Sequence, residues 1–429
     1  MIKTVTATGP ERQAFIRELK ARAGSVDPKI EQAVAEIVEA VRDGGDEAVK
    51  AYSRRFDGWT PDSLELSRQE MERLQAGCDP AFLAALERAA RNIYDFHNRQ
   101  KQQSRIDPMG NGIITGQRVR GLHRAGVYVP GGTAGYPSSV LMNVIPAKVA
   151  GVGEIVMATP PGRSGRPDPN IIAAALAAGV DRVFLMGGAQ AVAALAFGTG
   201  SVPKVDKIVG PGNIYVATAK KQLYGVVDID MIAGPSEILI IADDSADPEF
   251  LAADLMSQAE HDPMASAVLI TPSERLAQEA VAAIYRQLPG LSRREVIEQS
   301  LDGYGAVIVC GDMDEAVEFA NELAPEHLEV CCREPFDYLG RLDNAGSVFL
   351  GNYSPEPLGD YYAGANHVLP TGGTARFFSP LSVDDFIKKS SFIYYPREEL
   401  LKAAGDIVLL AETEELTAHA NSIKVRQGR

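Results

Sequence analysis

Two series of short apolar runs alternate with helical stretches between residues 124 and 325, and this alternation constrains the fold more than any other feature of the chain. The first series holds residues 126–129, EIVMATPP, RVFLMGG and KIVGPGN, spaced by Ala-rich stretches such as NIIAAALAAG. The second holds EILIIAD, SAVLITP and GAVIVCGD, spaced by PEFLAADLMSQAEH, RLAQEAVAAIYRQL and MDEAVEFANELA. Strands separated by helices of this length form βαβ units, whose crossovers require parallel pairing with helices on the sheet faces. The chain is therefore predicted to be α/β, with two units that each own their strands.

Residues 10 to about 105 repeat apolar positions at three and four, as in IEQAVAEIVEAVRDGGDEAVKAYSRRFDG, which predicts helices punctuated at the double glycine. Residues 351–380, GNYSPEPLGDYYAGANHVLPTGGTARFFSP, are too polar for a strand and too long for a simple turn, and loops of that length are usually functional or disordered. The tail returns to helix around EELTAHANSIKVRQ. A length of 429 residues, at about 150 per domain, allows two or three substructures.

A formal charge of −15 opposes a nucleic-acid partner, because affinity for phosphates comes from clustered Lys and Arg. The clusters SRRFDG and LSRREV are interleaved with acids and read as solvated helix faces. The start, MIKTVTATGPERQAF, lacks the run of about 7–15 apolar residues of a secretory signal, and no stretch of about 18 apolar residues occurs. A cytoplasmic protein with no membrane partner is expected. The nearest approach to a span, VFLMGGAQAVAALAFG, is broken by Gln190 and reads as strand, turn and helix. Cys78, Cys310, Cys331 and Cys332 have neither CxxC spacing nor an oxidising compartment, so they read as buried thiols.

The chain owns six histidines. Glu326 and His327 stand together in LAPEHLEV, where the chain leaves a helix through Pro325. A histidine can take a hydroxyl proton at neutral pH, and an adjacent carboxylate can orient it or activate water. Gln258 and His261 in SQAEHDP, three apart on an expected helix, would point to a common spot. Such a pair alone is usually solvated or satisfied in the core, so further metal ligands must come from Asp360, His367 or His419. Two nitrogens and two oxygens suit zinc or manganese better than copper. His97 and His123, among basic and amide residues, are expected at the surface. The turns YVPGGTAGYP, LMGGAQ and VGPGN follow expected strands and could cradle a pyrophosphate, although none completes G-x-G-x-x-G.

In this order, YVPGGTAGYPSSVLMNVIPAKVAG, GGAQAVAALAFGTGSVPKVDKIVGPGN, AGPSEILIIAD, SQAEHDP, LAPEHLEV, GDYYAGANHVLPT and LTAHA closely resemble histidinol dehydrogenases, over nearly the whole chain. The resemblance implies oxidation of L-histidinol to L-histidine through the aldehyde, the last steps of histidine biosynthesis, with two NAD per turnover and one zinc per subunit. It assigns Glu326 and His327 to catalysis, and Gln258, His261, Asp360 and His419 to the metal. It makes Tyr128, Gln190 and Asn213 NAD contacts, and Ser236 and Glu414 substrate contacts, the metal ligands and His327 also facing substrate. His367 falls in the matching loop.

The resemblance further implies two incomplete Rossmann-like units, one inserted in the other: a helical segment 1–22, a first unit of 23–130 and 236–380, an inserted unit 131–235, and a C-terminal segment 381–429. In an intertwined homodimer that last segment reaches the partner subunit's site. Rivals are a relative oxidising another small alcohol such as a sulfonated diol, a zinc hydrolase with no need of NAD, and a metal-stabilised binding protein. Glu414, suited to a cationic amine, favours histidinol over an anionic substrate.

Overall fold

Every residue of Glu237–Ala242 and Ser266–Thr271 is buried, the signature of strands covered on both faces. They lie in a computed structural model that describes residues 2–6, 9–22, 26–59, 62–131, 136–162 and 165–428. In chain order its strands are β1 (Lys3–Thr6), β2 (Glu65–Leu66), β3 (Arg105–Pro108), β4 (Ile114–Gly121), β5 (Arg124–Tyr128), β6 (Glu154–Thr159), β7 (Arg182–Leu185) and β8 (Lys207–Val209). These are followed by β9 (Asp228–Ile229), β10 (Glu237–Ala242), β11 (Ser266–Thr271), β12 (Gly305–Val309), β13 (His327–Cys331), β14 (Ser347–Leu350) and β15 (Ile387–Tyr394).

Two six-stranded sheets result. One runs β1-β12-β11-β10-β13-β14 and is parallel throughout; the other runs β2-β7-β6-β5-β8-β9, with only β2 antiparallel. Each is doubly wound: strand order steps one way from β10 to β12 and then returns to place β13 on the other side of β10. The same reversal occurs between β5 and β8 in the second sheet. A third, antiparallel sheet joins the C-terminal β15 to β4 and β3.

Sheet membership divides the chain differently from the expected boundary at residue 130. Arg124–Tyr128 forms the centre of the second sheet, between β6 and β8, and does not join the strands after residue 236. Local pattern reveals a strand but not its partner, because a parallel neighbour is brought in by a crossover of a dozen or more residues. Both termini, expected as helical segments, also supply a strand: Lys3–Thr6 extends the first sheet beyond β12, and β15 pairs with β4.

The helices start where the sequence says they should. Asp27, Asp79, Asp168 and Asp247 each precede a proline and accept the amide two residues on, a cap worth about 1 kcal/mol apiece. The helix Pro28–Phe56 kinks at Gly45, inside the expected double glycine. His97 departs from expectation: it is fully buried, with its ring between Gln100 Oε1 at 2.8 Å and Asn366 Nδ2 at 3.3 Å. Asn366 also donates to the Met142 carbonyl at 2.7 Å, so the polar 351–380 stretch is anchored across both units. His123 is exposed, as expected. Among the described residues no helix is long and apolar enough to cross a membrane.

Candidate active site

The helix Met313–Leu323 ends with Ala324 in the left-handed region (φ 52°, ψ 61°), a conformation costing a residue with a Cβ about 1 kcal/mol. Pro325 then turns the chain into β13, so that Glu326 and His327 occupy the amino end of a strand beside the amino end of β10. Both are buried. The His327 Nδ1 lies 3.0 Å from the Glu237 carbonyl, which can only accept, so Nδ1 carries the proton and Nε2 faces the site. That Nε2 is buried without a hydrogen-bond partner, 3.7 Å from Asp360 Oδ1. Glu326 Oε2 accepts the Glu237 amide at 2.9 Å and stands 3.6 Å from His327 Nδ1.

Carboxylates dominate the electrostatics. Burial opposes charge on His327, yet Glu326, Asp360 and Glu356 outweigh it and lift its pKa to about 10. Burial lifts Glu326 to about 7 against the pull of His327. Asp360 behaves oppositely: burial would raise it, but the neighbouring His327 and His367 hold it far below the usual carboxylate range. His367, half-buried, donates from Nδ1 to the Asp360 carbonyl at 3.1 Å and points Nε2 at Ser139 Oγ, 3.4 Å away.

Of the expected metal ligands His261 and Asp360 come together here, with Glu356, and the helix Pro248–Ala259 stops before His261. His261 sits on the following turn, its amide bonded to the Gln258 carbonyl at 3.2 Å. Donor atoms of His261, Asp360 and Glu356 lie within 4.8 Å of one another. Gln258 Oε1 is buried with no partner, a cost of about 1–3 kcal/mol unless something fills the gap. The imidazole and two carboxylates, with an orphaned oxygen on the residue whose carbonyl holds the His261 amide, are a donor set of the type that suits a zinc-like cation.

Tyr128, Gln190 and Asn213 gather at a different place, the carboxyl end of the second sheet where its strand order reverses. Ligands of doubly wound sheets bind in such a crevice. The Tyr128 hydroxyl accepts the Gly188 amide at 3.0 Å, and burial raises its pKa to about 12. Gln190 Oε1 is buried and unpartnered, and Asn213 caps the helix Ile214–Leu223. Gly210, at φ 108°, lets the GPGN turn close on Tyr128: a Cβ there would fall 2.1 Å from the Tyr128 carbonyl oxygen. Of the first glycine-rich turn, residues 132–135 lie outside the described residues. Ser139, in the helix Pro137–Ala150 that follows it, meets His367 and so ties this crevice to the acidic site.

Ser236 is half-buried just before Glu237, and its carbonyl accepts from Ser266 at 3.0 Å. Glu414 and His419 are not brought to the cluster. Both are exposed at the C-terminus, where the helices Arg397–Thr413 and Thr417–Gln427 pack on each other.

Four acids escaped the sequence reading. Glu356 stands one helical turn before Asp360, a spacing of four that would have placed both on one face. Glu237, Glu329 and Asp254 gave no such signal, being isolated acids in apolar runs. Burial raises Asp254 to about 6, and burial with the Asp254 charge puts Glu329 well above the ordinary range. Carboxyls whose folded pKa exceeds the unfolded one keep protons that the unfolded chain loses, so they favour the fold at low pH and disfavour it as pH rises. Glu329→Gln removes that proton demand. Its melting temperature relative to the native chain should be higher at pH 8 than at pH 5, and an equal difference at both would refute the sign.

The family model for histidinol dehydrogenase matches residues 20–427. Histidinol dehydrogenases of Clostridium acetobutylicum and Heliobacterium mobile are 52% identical over 426 residues (99% of each chain) and 56% identical over 402 residues (93% of this chain and 94% of the relative). The crystal structure of histidinol dehydrogenase from Elizabethkingia anophelis superposes with a TM-score of 0.93 at 37% identity, covering 99% of this chain and 98% of that one. A match over this much of the chain, with a shared fold, leaves one assignment: the chain belongs to the histidinol dehydrogenase family.

Proposed function

We propose that the protein oxidises L-histidinol to L-histidine through L-histidinal, with two NAD consumed, zinc in the acidic site and His327 and Glu326 as the catalytic pair. The observation that carries this reading is the buried, unpartnered Nε2 of His327, on a ring whose other side faces the Glu326 carboxyl that burial lifts to about 7. In the first step the alcohol carbon gives up hydride to NAD while His327 Nε2 takes the hydroxyl proton, leaving aldehyde, NADH and one proton. Glu326 then removes a proton from water as the water oxygen adds to the aldehyde carbon, while His327 returns its proton to the aldehyde oxygen and is a free base again. The resulting hydrate loses a second hydride to a second NAD and a hydroxyl proton to His327, giving carboxylic acid and a second NADH. Proton removal from a hydroxyl and from water each call for a base poised near the working pH, and a histidine next to a carboxylate can supply both.

Gln258, His261 and Asp360 would hold the zinc, with Glu356 at its edge and His419 completing the set from the partner subunit of a homodimer. A cation bound there would offset the carboxylates that otherwise keep His327 protonated and would supply a positive anchor for positioning the substrate. Glu414, reaching the site along with His419, would meet the substrate's ammonium. Tyr128, Gln190 and Asn213 would line the NAD crevice, with Ser236 close to the substrate.

The thiols take no part in this scheme. Cys331 is buried beside Glu329, and burial and that charge push its proton affinity far above normal, opposite to the needs of a nucleophile. The decisive experiment counts NADH against histidine produced from L-histidinol, with a chelated control. Two NADH per histidine, lost on chelation and restored by zinc, is the expected result. NADH from another small alcohol alone would move the substrate, and none from any alcohol would refute the dehydrogenase reading.

A further inference from the structure

Glu237 opens β10 and is buried, yet every polar group it owns is engaged with the catalytic pair or with what surrounds it. Its amide donates to Glu326 Oε2 at 2.9 Å, and its own Oε2 accepts the Glu326 amide at 3.3 Å, a reciprocal clasp between residues 89 apart. Its carbonyl accepts a hydrogen bond from His327 Nδ1 at 3.0 Å. Its Oε1 accepts the Gly372 amide at 3.2 Å, at the end of the loop that carries Asp360 and His367. The charge is met by Arg22, the last residue of the helix Gly9–Arg22, whose Nη2 pairs with Oε1. Arg22 is fixed in turn by the Met264 carbonyl, 2.7 Å from Nη1, and by the Tyr304 ring, with its guanidinium carbon 5.5 Å from the centroid.

A salt bridge that only pinned the N-terminal helix to a sheet edge would have no reason to spend its carboxylate on the Glu326 amide. A strand pair that only completed its ladder would not turn a carbonyl to an imidazole. Both contacts fall on the two residues that do the chemistry. We infer that Glu237, braced by Arg22, is a positioning residue for the catalytic pair: it sets the His327 tautomer and holds the Glu326 carboxylate where it meets water. The inference rests on the proposed roles of Glu326 and His327. Burial is the main cause of the raised proton affinity of Glu326, and Glu237 adds to it, since a second carboxylate alongside disfavours its negative charge. Arg22 limits that effect by sharing the charge of Glu237.

The test compares the native enzyme, Glu237→Gln, Arg22→Met, Arg22→Lys and Glu326→Gln as zinc-loaded full chains, with L-histidinol and with L-histidinal. Removing a residue that orients a reacting group costs about 10–100-fold in rate, so Glu237→Gln should lose that much kcat with KM within about threefold. The loss should be larger from histidinal than from histidinol, because the water step leans on Glu326. Arg22→Met should follow in the same direction, and Arg22→Lys should recover part of the rate, with zinc content and melting temperature near native. A Glu237→Gln enzyme within about twofold of native kcat, or a loss equal for both substrates and tracking lost zinc, overturns the inference. Should Glu237→Gln fail to fold, the Arg22 pair decides alone by the same criteria. A native enzyme inactive on histidinol refutes the proposed function instead, and a native enzyme indifferent to Glu326→Gln refutes its assigned role.

Discussion

His327→Asn is expected to lose about 10³-fold or more in kcat while folding normally, since a general base contributes about 10²–10⁴ and in the proposed scheme His327 serves both oxidations. Asparagine can keep the donor to the Glu237 carbonyl through its side-chain amide but has no basic atom at the Nε2 position. The loss should therefore fall on kcat, with KM for histidinol changed only modestly. Glu326→Gln separates the two steps: alcohol oxidation should survive better than aldehyde oxidation, and histidinal should leave the enzyme or accumulate on it. In the native enzyme the aldehyde rate should climb as pH rises through about 7, where the buried Glu326 ionises. The Gln variant should lack that limb. Stopped-flow NADH formation from each substrate between pH 6 and 9 measures all of this, and a His327→Asn enzyme with near-native turnover would end the assignment of the base.

The second large effect is a recovery. His419 and Glu414 lie exposed on the C-terminal helices, away from the cluster built by His261, Glu356 and Asp360. The segment that carries them bears exposed Leu409, Leu410, Leu416 and Val425, an apolar set that a monomer would leave wet. If His419 acts in the partner's site, His419→Ala and His327→Asn are each inactive alone but complement each other when co-expressed. In a mixed dimer one site collects both defects and the other neither. Random pairing makes half of the dimers mixed, so about a quarter of native activity should return. A mixture as inactive as its parents would place His419 in its own subunit's site or outside any site.

Much of this site could be read in the sequence because its residues sit in short segments with unusual neighbours. Glu326 and His327 follow a proline at a helix end, Gln258 and His261 straddle the end of a helix, and Asp360 lies in a polar stretch too long for a turn. Glu237 could not be read, since an acid at the head of EILIIA looks like a solvated strand end until Arg22 arrives from more than two hundred residues away. His97 misled for the same reason: polar neighbours implied exposure, whereas Asn366, 269 residues on, closes over it. The two strand series were legible from period and length. Their assignment to sheets was not, because a strand such as Arg124–Tyr128 carries the same apolar pattern whichever sheet accepts it.

The position of Glu326 and His327 at the amino ends of β13 and its neighbour sets the sign of the potential around them. In a sheet of parallel strands and crossover helices, helix amino ends cluster at the carboxyl edge of the strands and helix carboxyl ends at the amino edge. The helices Pro248–Ala259 and Met313–Leu323 both finish at the acidic site, leading the chain to His261 and, through Ala324, to Glu326. Their partial negative charges add to the carboxylates and welcome cations. At the opposite kind of edge, the helices Gly188–Phe197 and Ile214–Leu223 begin beside Tyr128, and their amide ends welcome anions. Chain direction thus gives the two places opposite polarity before any side chain is chosen.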